Sequence, residues 1–172
     1  MSIEFERLEA ALPQRYTLIR ELARGGMSRV YLARESMPGR DVVIKVLDHE
    51  LSARMGPDKF VHEVEVTSQH QHPHVVPIYS AGDADGTLYY VMPYIDGASL
   101  RDRLAKEGRL PIAESLSITH QIASALQHAH TKGVTHSDIK PSNILFQGGP
   151  AGDSVQKFFP AESNGGIAAL KS

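Results

Sequence analysis

The hydrophobic period of this chain changes once, near Gly97, and the change divides it into a part that can build a sheet and a part that can build helices. Before Gly97, apolar and β-branched residues come in short runs: Tyr16 to Leu22, Arg29 to Arg34, Asp41 to Leu47, Val75 to Ala81 and Thr87 to Met92. Gly25-Gly26, Pro38-Gly39 and Asp83-Ala-Asp-Gly86 separate them, so they predict antiparallel strands joined by turns. One helix is expected among them, from Pro57 to Gln69, with Phe60 and Val64 inward and Asp58 in the first turn. Its Val61, Val64, Val66 and Thr67 are poor helix formers, so packing must hold it. After Gly97, Ser99-Leu-Arg-Asp102 reads as a capping box, and Pro111 opens a long helix with Leu116, Ile122, Ala123, Leu126 and Ala129 at helical spacing, ended by Gly133. The expected class is α+β. A lead-in over residues 1–15, with Phe5, Leu8 and Leu12 ahead of Pro13, precedes a five-stranded antiparallel sheet with one helix over 16–96. A mainly helical region follows over 97–146, then an irregular tail over 147–172, where five Gly and two Pro fall in the twenty residues Gln147 to Gly166.

Chemistry concentrates in Val134-Thr-His-Ser-Asp-Ile-Lys-Pro-Ser-Asn-Ile-Leu145. Phosphoryl transfer needs a carboxylate for the hydroxyl proton, a cation near the transferring phosphate and an oxygen on Mg²⁺. Asp138, Lys140 and Asn143 supply these three in the spacing of one loop. Upstream, Leu22-Ala-Arg-Gly-Gly-Met-Ser-Arg-Val30 is a glycine turn whose backbone N–H groups could approach phosphates, although a plain hairpin turn is the better reading of this stretch alone. Lys45 ends Val42-Val-Ile-Lys45, either as a phosphate anchor or as a solvated strand end. Glu63, eighteen residues on, is favoured as its ion-pair partner over Glu65, which lies about 200° round the helix from Glu63. Met92-Pro-Tyr-Ile95 reads as an adenine-reading hinge, with the Pro93 carbonyl as acceptor and the Ile95 N–H as donor, or as a strand leaving a sheet edge at proline. His70, His72 and His74 alternate beside Pro73 without a placed carboxylate or cysteine, so punctuation between helix and strand is the better reading than metal binding.

A net charge of −2 gives no electrostatic footprint for nucleic acid or an anionic membrane. The absence of cysteine excludes a disulfide scaffold and a thiolate zinc site. No apolar run approaches a bilayer span, and Glu4, Glu6 and Glu9 occupy the place where a signal peptide would be apolar. A cytoplasmic chain with no membrane segment is expected.

Taken together and in order, Leu22 to Val30, Val42 to Lys45, Glu63, His72-Pro73, Met92 to Ile95 and His136 to Leu145 resemble the bacterial Ser/Thr protein kinases of eukaryotic-like type, over residues 16 to 146. The resemblance implies a kinase N-lobe over 16–96 and the start of a C-lobe with its catalytic loop over 97–146. It also implies ATP and Mg²⁺ as cofactors and a protein substrate. Asp138 would accept the hydroxyl proton, Lys140 would be the transition-state cation, and Asn143 a Mg²⁺ ligand. Leu22, Gly25, Gly26, Val30, Val43, Lys45, Glu63, Met92, Ile95 and Leu145 would bind the nucleotide.

Three departures qualify it. Ala23 and Ser28 replace two loop glycines, and an Ala at positive φ would cost on the order of 1 kcal/mol. Ser137 replaces the Arg that would bind an activation-loop phosphate, which argues against switching by phosphorylation. No Asp-Phe-Gly follows Asn143; Asn164-Gly-Gly-Ile-Ala168 is the nearest string and Asp153 the nearest acid. The chain therefore reads as truncated after the catalytic loop. The alternative to an active transferase is a pseudokinase-like fragment that serves as a nucleotide-binding or interaction module.

Overall fold

The computed structural model describes residues 3–26, 28–68, 72–133, 139–147 and 156–158, the side chains of residues 3–4, 63, 65–68 and 156–158 excepted. These fall into two compact units, one holding residues up to Glu65 together with Ile78–Tyr94, the other Val66–Pro77 and the residues from Ile95 on.

In the first, here the sheet unit, β1 (Tyr16–Arg24), β2 (Ser28–Glu35), β3 (Arg40–Leu47), β4 (Ser80–Ala84) and β5 (Thr87–Pro93) form an antiparallel sheet in the order β1-β2-β3-β5-β4. The expected five-stranded sheet is present. Strand β3 is central, and of Val42 to Leu47 only Lys45 is not fully buried, because both faces of the sheet are covered. On one face, Phe5, Leu8 and Leu12 of the lead-in join Tyr31, Ile44 and Val91 in a single core. Helix α1 (Ile3–Ala11) docks there through Phe5, whose ring meets Tyr31 edge-on at 5.9 Å. On the other face α3 (Pro57–Ser68) buries Phe60 and Val64, as its spacing predicts.

One helix is expected between β3 and β4; the structure has a second, α2 (His49–Met55). Asp48 caps it by accepting the Leu51 N–H at 2.7 Å, and the buried Ser52 Oγ accepts the Leu88 N–H from β5. The fourth strand also differs from expectation, running over Ser80–Ala84 and not from Val75. Pro77 has no N–H to give a ladder, and Val75 turns back to bond the His72 carbonyl. The Asp85-Gly86 turn is as predicted, both residues having positive φ, with the Gly86 N–H on Asp83 Oδ1.

In the second, helical unit, α4 (Leu100–Glu107) carries the predicted capping box: Ser99 Oγ accepts the Asp102 N–H and the Asp102 carboxylate accepts the Ser99 N–H. Helix α5 (Ile112–Thr131) starts after Pro111 and is followed by Gly133 at positive φ. Ile118 and Ala125 are its buried residues, while Leu116 of the predicted apolar set faces solvent. A 3₁₀ turn (Pro141–Asn143) leads into β6 (Ile144–Phe146). The tail was expected to be irregular throughout, yet Gln156–Phe158 forms β7, antiparallel to β6. Among the described residues no helix is long and apolar enough to cross a membrane.

Candidate functional site

The turn between β1 and β2 is closed by the Gly25 N–H on the Ser28 carbonyl at 2.8 Å. No strain falls on Ala23, contrary to the cost entertained for it: it lies inside β1 opposite Val30, and Asp85 is the sole described non-glycine residue at positive φ. Gly25 and Gly26 are also outside that region, and a Cβ on Gly26 would meet nothing within 4 Å. Among the described residues neither conformation nor crowding calls for glycine at 26, and its bare backbone is open to close approach. Leu22 is half-buried at the irregularity between Glu21 and Ala23.

Pairing in the sheet brings four predicted residues together. Val30 lies opposite Lys45, Lys45 opposite Tyr90, and Val43 opposite Met92. Side chains alternate along a strand, so Val30, Val43, Lys45, Tyr90 and Met92 share one face across β2, β3 and β5. The result is an apolar patch with one cation in it. Lys45 is half-buried, with Nζ 5.9 Å from the Tyr90 ring centroid, and Tyr90 packs on Phe60 of α3 at 6.4 Å. Tyr90 was missed in the sequence; it is the link that ties α3 to the strand bearing Lys45. Glu63 lies on α3, three residues after Phe60, and its side chain lies outside the described residues.

Strand β5 ends at Pro93, opposite Val42, and the sheet unit ends at Tyr94. Ile95, the predicted hinge donor, is buried in the helical unit. There, Lys140 is exposed in extended backbone and its carbonyl accepts the Asn143 N–H at 2.9 Å, so the 3₁₀ turn fixes the step between these two residues. Leu145 bridges to Ser99, and Phe146 donates its N–H to the Ala98 carbonyl. Arg103 braces the same strand from α4, its guanidinium 4.7 Å from the Phe146 ring centroid and bonded to Glu107 and Glu114, which holds its pKa above the ordinary value. An Arg with Glu four residues on was the available signal for it. Asp138, Asp153 and Asn164 lie outside the described residues, as does His70. His72, His74 and His128 gather within the helical unit, with centroids 5.4 and 5.3 Å from His72, but among the described residues no trio of His, Asp or Glu could hold a metal ion.

The family model for the protein kinase domain matches residues 16–152. The chain belongs to the protein kinase family. It is 39% identical over 137 residues to the serine/threonine-protein kinase PrkC of Bacillus subtilis, covering 76% of this chain and 20% of that protein. It is 40% identical over 136 residues to the serine/threonine-protein kinase PknD of Mycobacterium tuberculosis, with the same coverage. This kinase chain thus spans about a fifth of the length of the curated relatives it matches. The kinase domain of M. tuberculosis PknI superposes with a TM-score of 0.71 at 29% identity, over 85% of this chain and 59% of that one. Rad53 in complex with AMP-PNP shares the fold, with a TM-score of 0.75 at 23% identity over 92% of this chain and 40% of that one.

Proposed function

We propose that this chain binds ATP on the sheet face that carries Lys45 and belongs to an ATP-dependent protein Ser/Thr kinase. The observation that carries the reading is the register that aligns Val30, Val43 and Met92 around Lys45. An apolar patch beside one half-buried cation suits a flat base and its phosphates. The open space over Gly26 supports phosphate approach at the turn. In this reading Lys45, paired with Glu63, holds the α- and β-phosphates, the Pro93 carbonyl and Ile95 N–H read adenine, and Leu22 gives the base an apolar contact. Asp138 accepts the proton of the attacking hydroxyl and Lys140 stabilises the charge that develops on the transferring group. The Asn143 amide oxygen and the phosphate oxygens of bound nucleotide would hold a divalent ion. Bound Mg²⁺ supplies charge neutralisation. A cytoplasmic location, where ATP and Mg²⁺ are at hand, goes with this reading.

The missing Asp-Phe-Gly favours a second reading, a pseudokinase-like module that holds nucleotide or a protein partner with little transfer. Loss of one preorganised electrostatic element costs on the order of 10²- to 10³-fold in rate. Two measurements separate the readings. Calorimetry should show ATP binding that Lys45→Ala weakens; no binding by the parent chain sinks both nucleotide readings. Transfer from radiolabelled ATP to a basic protein substrate should be slow, whereas robust transfer abolished by Asp138→Asn establishes the full kinase.

A further inference from the structure

The sheet face turned away from Lys45 carries a groove of about 910 Å³, lined entirely by the sheet unit. Its floor is apolar, with Leu8 of α1, Tyr31 of β2 and Val46 of β3. Its rim is basic: Arg7 comes from α1, and Arg24 and Arg29 come from the ends of β1 and β2. Arg24 and Arg29 stand directly opposite each other in the hairpin register, at the last pair before the glycine turn. Paired residues of neighbouring strands share one face of the sheet, so the two guanidinium groups can hold one anion between them. Two carboxylates also line the groove. Asp48 is engaged in capping α2, and Asp85 sits in the β4–β5 turn.

We infer that this groove is a second ligand site, taking a phosphate monoester borne on an aromatic or apolar body. The phosphate lies among Arg7, Arg24 and Arg29, and the body covers Ala10, Ala11 and the arginine stems above the buried Tyr31 and Val46. The volume falls in the range of small-molecule sites, roughly 300–1,000 Å³, and exceeds what a bare ion needs. Arginine forks suit phosphate oxygens, and the apolar floor suits what carries them. Because Arg24 and Arg29 flank Gly25-Gly26, an occupant steadies the hairpin tip whose other face is the proposed nucleotide site.

The test is calorimetric titration of the full chain with phenyl phosphate, with inorganic phosphate and with a short phosphotyrosine peptide. Phenyl phosphate should bind equally to the parent and to Lys45→Ala, and about tenfold more tightly than inorganic phosphate, since only it covers the floor. Arg7→Gln, and Arg24→Gln with Arg29→Gln, should each weaken it by about tenfold or more, while Arg→Lys at the same positions retains part of the affinity and guards against misfolding as the cause. Tighter binding of the peptide assigns the phosphate to a phosphorylated protein; equal binding assigns it to a small molecule. Absence of phenyl phosphate binding overturns the inference, as does binding lost in Lys45→Ala and kept in the arginine variants. Either result leaves Lys45-dependent ATP binding as a separate question.

Discussion

The sheet unit and the helical unit hold their predicted site residues by different means. Lys45 sits in a central strand buried on both faces, flanked by Val30 and Tyr90 in register, so its place is set by packing that spans the whole unit. Lys140 and Asn143 are placed by short-range polar ties: one backbone bond between them, one from Phe146 to Ala98, and the capping box at Ser99. Helix α5 shows the same contrast. Of its twenty residues only Ile118 and Ala125 are buried, while Ile112 and Leu116, one turn apart, are 79% and 65% exposed. Lys45 is therefore fixed by a large core, and Lys140 and Asn143 by hydrogen bonds, a cap and the small cluster of Ala125 and Ile144. Damage should follow that division.

The largest effect is expected from Phe60→Ala. Phe60 is fully buried and its ring backs Tyr90, so truncation should cost about 3–5 kcal/mol and release the support behind Lys45. Urea unfolding reads the stability, and hydrogen exchange should show protection lost over Val42–Leu47 and Leu88–Met92. Unchanged exchange in β3 and β5 would break the claim that packing positions Lys45.

In the helical unit the heaviest polar tie is Arg103, with a side chain 14% exposed between Glu107, Glu114 and the Phe146 ring. Both carboxylates are partly solvated, so Arg103→Ala should cost only on the order of 1–2 kcal/mol, part of it lost packing on Phe146. Ser99→Ala comes next, at about 1 kcal/mol for the lost cap, and should raise exchange in the first turn of α4 and at Phe146. If either variant matched Phe60→Ala, the helical unit would have a core as decisive as the sheet's.

The same contrast governs what could be read in advance. Strand β3 was legible because a run of β-branched residues interrupted by one Lys has few other solutions, and α3 because Phe60 and Val64 are one turn apart. Ser99 with Asp102, and Gly133, were legible because caps are local. Helix α2 was not read, since its anchor is Ser52 on Leu88, thirty-six residues away, although Asp48 and Gly56 bracket it as caps. Strand β7 escaped because its sequence carries no apolar alternation and its partner β6 lies beyond a glycine-rich stretch. Tyr90 shows the limit most clearly. Strand alternation placed it on the same face as Met92, but nothing local says that α3 would stack on it.

The smallest effect expected is carried by pH. The His72 Nδ1 accepts the His74 N–H at 3.2 Å, so the ring is neutral with its hydrogen on Nε2, where Ser124 Oγ lies 3.3 Å away. Burial, then His128, then His74 lower the His72 pKa below the ordinary imidazole value of about 6.5. The sign follows from that depression. Above about pH 6.5 both folded and unfolded chains carry a neutral ring; as pH falls through that value the unfolded chain takes the proton first, so stability is lost until the lower folded pKa is passed. Protonation at Nδ1 also removes the acceptor for the His74 N–H, which ties this segment's own turn. Urea midpoints should therefore fall between pH 7.5 and pH 5.5, and fall less in His72→Asn, the difference between the two chains cancelling the other histidines. The effect is small because one half-buried ring carries it, against a full aromatic side chain at Phe60. Equal pH slopes in the two proteins would remove His72 from the ties that hold the helical unit and leave Arg103 and the Ser99 cap to do so.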